Sequence, residues 1–176
     1  MKVTIVSSDK DLMQLVKEDV SMLDTMKNRL IQKNEVIEKF GVEPKKVIDV
    51  QSLAGDSIDN IPGVPGIGIK TAALLINEYD NLDNLLEKAS NIKQNKRRES
   101  LIEFADQARL SRELVTLKED VKLPIPIKDI EIQSFDPKKL ISFLKGMEFK
   151  TLTEKKVREF NLNLEDIESE ELELEF

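Results

Sequence analysis

The chain contains no cysteine, no histidine and no tryptophan. Without cysteine there is no disulfide and no thiol nucleophile. Without histidine there is no Ser-His-Asp triad, and with both missing there is no zinc site of the Cys or His type. No apolar run approaches the roughly 18–20 residues that span a bilayer. The start, Met-Lys-Val-Thr-Ile-Val (residues 1–6), is too short an apolar stretch for a signal peptide, so the expected compartment is the cytoplasm. Catalysis, if there is any, must run on carboxylates, lysines, hydroxyls or a bound hard metal.

What is present in abundance is charge. Of 176 residues, 35% are charged and the net charge is −7, which at first opposes a nucleic-acid partner. The distribution removes the objection. Residues 165–176 hold seven acids and no base, and the rest of the chain carries 27 basic and 27 acidic residues. A neutral body can still present the local basic face that phosphate contact needs. The acidic end reads as a linker or disordered tail.

The chain opens on a β-branched run, Val3 to Ser7, with apolar residues on both parities, which predicts a strand buried on both faces as in a parallel sheet. Asp9 to Val16 predicts a helix with Leu12, Leu15 and Val16 inward. Val20–Leu23 and Asn28–Ile31 predict two short strands around a polar turn. Asn34 is the expected N-cap of a helix carrying Val36, Ile37 and Phe40, with Gly41 ending it. Further helices are expected from Pro44 to Ala54, from Ile69 with Ala72, Leu75, Ile76 and Tyr79 on one side, over 82–89 and over 97–117. Lys122–Ile132 reads as extended. Asp136-Pro137 opens a helix with Leu140, Ile141 and Leu144 inward, and Thr151 to Glu154 is a capping-box pattern for the last helix.

The densest turn chemistry lies at 55–68. Three motifs compete for Gly63-Val64-Pro65-Gly66-Ile67-Gly68-Ile69-Lys70-Thr71. A P-loop needs Gly-Lys-Thr in succession, and here Ile69 separates Gly68 from Lys70. A dinucleotide fingerprint needs a preceding strand, and here the preceding segment reads as helix and turn. A helix–hairpin–helix fits: glycines at an apolar bend let the backbone approach a phosphate, and the next helix offers its N-terminal N–H groups and Lys70. Such contacts position a duplex without reading its bases. The four cations Lys93, Lys96, Arg97 and Arg98 read equally as a solvated helix start or a backbone contact.

Two pairs of aspartates flank these elements. Asp9 and Asp11 follow the first strand, where open α/β sheets place ligand sites. Taken alone they read more readily as a helix cap and a first-turn acid. Asp56 and Asp59, at i and i+3, would share one face of a helical turn, and a cap with an Asx turn accounts for them as well. Together, four carboxylates beside a phosphate-binding hairpin point to a hard divalent cation, Mg²⁺ or Mn²⁺, and to hydrolysis of a phosphodiester by metal-activated water.

The block 3–16 (Val-Thr-Ile-Val-Ser-Ser-Asp-Lys-Asp-Leu-Met-Gln-Leu-Val) and the block 53–72 (Leu-Ala-Gly-Asp-Ser-Ile-Asp-Asn-Ile-Pro-Gly-Val-Pro-Gly-Ile-Gly-Ile-Lys-Thr-Ala) resemble the 5′-3′ exonuclease domain of bacterial DNA polymerase I. The resemblance runs over about residues 3–160, to Leu144-Lys-Gly-Met-Glu-Phe149. It implies an α/β fold, the C-terminal part of a PIN-like flap-nuclease domain, mostly helical, with a helix–three-turn–helix DNA-binding region. It divides the chain into 1–53 (nuclease core with metal-site acids), 54–162 (DNA-binding subdomain) and 163–176 (acidic tail). It implies Mg²⁺-dependent removal of RNA primers and 5′ flaps in DNA replication and repair. Asp9, Asp11, Asp56 and Asp59 take the metal-ligand positions. Gly63, Val64, Gly66, Ile67, Gly68, Lys70 and Thr71 take the DNA-binding positions, with a K⁺ ion at the hairpin. The partners implied are duplex DNA with a 5′ flap or end, the N-terminal nuclease half and the polymerase domains. The family's N-terminal acids and helical arch find no match in this chain. An alternative function is therefore a DNA-holding half without cleavage, and the chain is expected to be a truncated product, a separately encoded half or a fragment.

Overall fold

A computed structural model describes residues 1–132 and 134–164. The expected acidic tail lies almost wholly outside them. The chain divides into two compact units, Met1–Val121 and Lys122–Phe176, so the boundary read at residue 53 falls inside the first.

The first unit begins with a three-stranded sheet of order β1-β2-β3, formed by Val3–Val6, Val20–Asp24 and Arg29–Ile31. β1 and β2 run parallel, with Val3 opposite Val20. β2 and β3 are antiparallel, with Met22 opposite Ile31. β1 is not buried on both faces. It is an edge strand, and Val6 is 64% exposed. One face of β1, Val3 and Ile5, is half-buried and the other, Thr4 and Val6, is exposed, so the apolar run reports β propensity here rather than double burial.

The expected helix after β1 is a 3₁₀ helix, Lys10–Leu15, capped by Asp9. Its tighter pitch moves the inward position to Met13, with Leu12 and Leu15 only half-buried. Helix α1 (Lys33–Phe40) buries Val36 and Phe40 but leaves Ile37 exposed. It is capped by Gln32, not Asn34, because Gln32 and Glu35 close a reciprocal capping box. Gly41 ends it at φ 74°. A 3₁₀ turn at Pro44–Lys46 leads into α2 (Val47–Ala54). Helices α3 (Ile69–Tyr79), α4 (Leu82–Glu87), α5 (Asn95–Glu103) and α6 (Ala105–Val115) follow. The helix read over 97–117 is thus two, broken at Phe104.

α2 is the axis of this unit and packs against both α3 and α6. Its Val47, Val50, Ser52 and Leu53 are fully buried, and the core continues through Phe40, Ala72, Ile76, Leu82, Leu85 and Leu101. Burying such a set at roughly 25 cal/mol per Å² of apolar surface is what fixes the α2–α3 and α2–α6 geometry.

In the second unit, 122–132 is irregular apart from a 3₁₀ turn at Ile127–Asp129. α7 (Pro137–Gly146) is capped by Asp136 and packs Ile141 and Leu144 against residues of α8 (Lys150–Glu159). The expected capping box at Thr151 is absent. α8 starts two residues earlier than that box would place it, with Phe149 as its cap, and Thr153 turns its hydroxyl back onto the Phe149 carbonyl at 2.9 Å.

Candidate metal centre and nucleic-acid interface

Asp9 ends the loop after β1 and is the N-cap of the 3₁₀ helix. Its carboxylate accepts from the Asp11 N–H at 3.0 Å, and its own N–H donates to Ser7 Oγ at 3.1 Å. This cap turns the 3₁₀ helix so that Asp11, in its first turn, faces α2.

Asp56 and Asp59 do not lie on a helical turn. Gly55 ends α2 at φ 70°, and the loop 56–61 is then closed by two backbone bonds, Asp56 N–H to Ile61 O at 2.9 Å and Ile61 N–H to Asp56 O at 2.7 Å. Asp56 Oδ1 caps the loop by accepting from the Ile58 N–H at 3.0 Å, and Asn60 takes a left-handed conformation at φ 56°. The closed ring returns Asp59 toward Asp56.

Carboxylate oxygens of Asp11, Asp56 and Asp59 lie within 4.8 Å of one another. Asp9, read from the sequence with them, is not in this group. Its carboxylate is engaged in the cap. Asp56 is buried, Asp11 half-buried and Asp59 exposed, so the cluster opens to solvent on one side. Two side chains that the sequence did not single out touch it. Lys10 pairs its ammonium with Asp56 Oδ2, and Gln51 donates its amide N–H to Asp11 Oδ1. The hydrogen bond from Lys10 holds the Asp56 carboxyl below the usual carboxylate range, against the opposing effect of burial. The same bond raises the Lys10 ammonium, helped by Asp11 and Asp59. An all-oxygen carboxylate donor set suits a hard divalent cation. Neither Lys10 nor Gln51 could be found from composition, because both contacts cross between elements.

The glycine turn follows directly. The four glycines do different work. At Gly55 and Gly63, both in positive φ, backbone meets backbone: a Cβ on Gly63 would lie 2.4 Å from Gly55 N. Gly63 is buried, its N–H donates to Ser111 Oγ at 3.1 Å and its carbonyl accepts from Gln107 Nε2 at 2.6 Å. α6 therefore grips the start of the turn. Val64 and Ile67 are core residues, each 3% exposed, and the Val64 N–H donates to Leu53 O at 2.7 Å. Gly66, at φ 80°, and Gly68, in extended backbone, have nothing within 4 Å of a built Cβ. Gly68 is the N-cap of α3 and supplies no side-chain cap, so the first-turn N–H groups of Ile69, Lys70 and Thr71 point out of an uncapped, electropositive helix end. Lys70 is exposed and Thr71 half-buried beside it. Of the residues expected to bind DNA, Gly66, Gly68 and Lys70 are thus exposed and Thr71 half-buried, while Gly63, Val64 and Ile67 are buried. In the basic run, Lys93 and Lys96 are exposed, but Arg98 is spent on the Ile92 carbonyl at 2.9 Å and on Asn95 Oδ1 at 2.8 Å.

No helix among the described residues is long and apolar enough to cross a membrane.

Comparison with known proteins places these elements. Residues 42–138 match the family model "5′-3′ exonuclease, C-terminal SAM fold". The chain is 57% identical over 151 residues to DNA polymerase I of Rhizobium leguminosarum, covering 86% of this chain and 15% of that protein. It is 38% identical over 151 residues to the 5′-3′ exonuclease of Aquifex aeolicus, covering 86% of this chain and 51% of that one. Among solved structures, a zinc-bound T5 5′-exonuclease matches with a TM-score of 0.61 and 27% identity, over 65% of this chain and 42% of that chain. The catalytic core of Rad2 in complex with DNA substrate has the same fold at a TM-score of 0.53 and 19% identity, over 88% of this chain and 55% of that one. The chain spans about half or less of the length of these two curated relatives.

Proposed function

The chain belongs to the 5′-3′ exonuclease family, and from that premise we propose that it holds duplex DNA by its glycine turn and presents a divalent metal ion to a phosphodiester near a 5′ end or flap, as in replication and repair. The observation that carries this reading is the convergence of Asp11, Asp56 and Asp59 within 4.8 Å, on a loop that runs straight into the uncapped N-terminus of α3.

The parts divide the work as follows. Gly66 and Gly68 leave room for a sugar-phosphate backbone, and the N–H groups of 69–71 donate to its oxygens. Lys70 adds a point charge. None of these contacts reads a base, so binding is sequence-independent and salt-sensitive. Asp11, Asp56 and Asp59 would hold Mg²⁺ or Mn²⁺, with Asp9 fixing Asp11 from behind. When bound, such an ion supplies Lewis-acid stabilisation and a water of lowered pKa. Lys10 offsets one of the three carboxylate charges in its absence. A K⁺ ion at the hairpin would be held by its carbonyls, of which that of Gly63 also accepts from Gln107. The DNA, the remainder of the nuclease domain and the polymerase domains are the partners we assign.

A second reading, binding without efficient cleavage, is favoured by one observation: three carboxylates converge rather than four, and Lys10 already pairs with one of them. Two Mg²⁺ ions need more negative charge than this. Efficient cleavage would then draw on ligands from outside this chain.

A cleavage assay on 5′-flap DNA with Mg²⁺ and K⁺, beside Asp56→Asn, separates the two. Flap cleavage lost in the variant supports the nuclease reading. Flap binding without cleavage supports the second. Failure to bind the flap at all overturns both. Lys70→Ala should weaken binding of all duplex sequences alike and lower the salt slope by about one.

A further inference from the structure

Gln51 sits where an apolar residue is the default. It lies on α2 among Val50, Ser52 and Leu53, all fully buried, and is itself 3% exposed. Its amide N–H donates to Asp11 Oδ1. Its amide oxygen, Oε1, is buried and finds no hydrogen-bond partner among the described residues. Leaving such an acceptor unpaired is destabilising. A leucine of similar volume would avoid that cost.

The orientation of the amide is forced. Turned over, it would set Oε1 against the Asp11 carboxylate, acceptor on acceptor. The two amide heteroatoms are about 2.3 Å apart by covalent geometry. Oε1 therefore lies within about 5 Å of the Asp11 oxygen that the N–H holds. The missing partner must be a donor that arrives there. Lys10 is already engaged with Asp56.

We propose that Gln51 is a positioning residue for the acid cluster: its amide N–H fixes Asp11 in place to ligate, and its buried Oε1 accepts from water carried by the bound cation. This rests on the reading of Asp11, Asp56 and Asp59 as a metal site. Side chains that orient ligands and meet bound water in this way are generally worth 10–100-fold in metal affinity.

The test is Mn²⁺ binding to the full chain, measured by calorimetry and by the electron paramagnetic resonance of free Mn²⁺, with thermal melts in EDTA alongside. Gln51→Leu weakens Mn²⁺ binding about tenfold or more. Its melting temperature in EDTA is no lower than that of the wild type, because the orphaned acceptor is gone. Gln51→Asn keeps the polarity but withdraws the amide by one methylene, and it weakens Mn²⁺ binding likewise. It serves as the test should the leucine variant fail to fold. If wild type binds Mn²⁺ and either folded variant binds it within about twofold, Gln51 is only a core residue and the proposal is overturned. If wild type binds no Mn²⁺, the metal-site reading itself falls, and the role of Gln51 with it.

Discussion

Gly63 lies backbone to backbone against Gly55: a Cβ on Gly63 would come 2.4 Å from the Gly55 nitrogen and 2.7 Å from its Cα. No rotamer relieves a backbone overlap, and φ 60° adds the cost of a left-handed residue with a side chain. Gly63→Ala should therefore cost at least about 2 kcal/mol by chemical denaturation. A loss below about 0.5 kcal/mol would mean that this glycine contact is not as tight as described.

Gly68 should behave in the opposite way. Its backbone is extended, a Cβ there meets nothing, and it caps α3 without a side chain. Gly68→Ser supplies the missing cap and should leave stability unchanged or raise it by a few tenths of a kcal/mol. It also places atoms where a phosphate would approach, and duplex affinity should fall. A variant of equal or greater stability with undiminished affinity would contradict the assignment of this helix end to the DNA backbone.

Ser111→Ala removes the partner of the Gly63 N–H, in a residue that is fully buried. The cost should be about 1–3 kcal/mol, as for a buried donor left unpaired. Because α6 also holds the Gly63 carbonyl through Gln107, duplex binding should weaken in step. Urea titration and a flap-binding isotherm on the same preparation would report both.

Lys10→Met strips the counter-cation from Asp56, whose side chain is 5% exposed. An uncompensated buried carboxylate destabilises, so the melting temperature in EDTA should fall. Millimolar Mn²⁺ should restore most of it, because a divalent ion takes over the charge balance. Loss of stability that Mn²⁺ does not recover would count against a cation site at Asp56.

Asp49 offers a pH test away from the site. Burial raises its carboxyl above the ordinary value, despite a hydrogen bond from the Leu82 backbone and the nearby Arg112. The folded state then keeps a proton that the unfolded chain releases at about pH 3.9. Stability from this group falls as pH rises from there through the folded value, and the penalty persists at neutral pH. Asp49→Asn keeps an acceptor for Leu82 and should melt higher than wild type at pH 7. The gain should vanish at pH values well below 4. An equal gain at both pH values would place its cause elsewhere.

Much of this protein was legible in its sequence because the signals are local. A β-branched run made β1, a glycine in positive φ ended α1 at Gly41, and the Asp136-Pro137 cap opened α7. The glycine-rich turn announced a bend before a helix, and the absence of cysteine and histidine left oxygen ligands as the only metal chemistry. What the sequence could not decide were competitions between neighbours and contacts between elements. Gln32 outbid Asn34 as a cap because Glu35 could reciprocate. Asp9 and Asp11 look equivalent in sequence, yet a 3₁₀ turn gave one to a backbone N–H and the other to the cluster. Four glycines look alike on the page. Only the approach of α2, α6 and the turn separated Gly55 and Gly63, which hold backbones together, from Gly66 and Gly68, which face open space. Gln51 and Lys10 join the site for the same reason. Hydrogen bonds across 40 residues and across helices are set by packing, and packing is read from the fold rather than from local pattern.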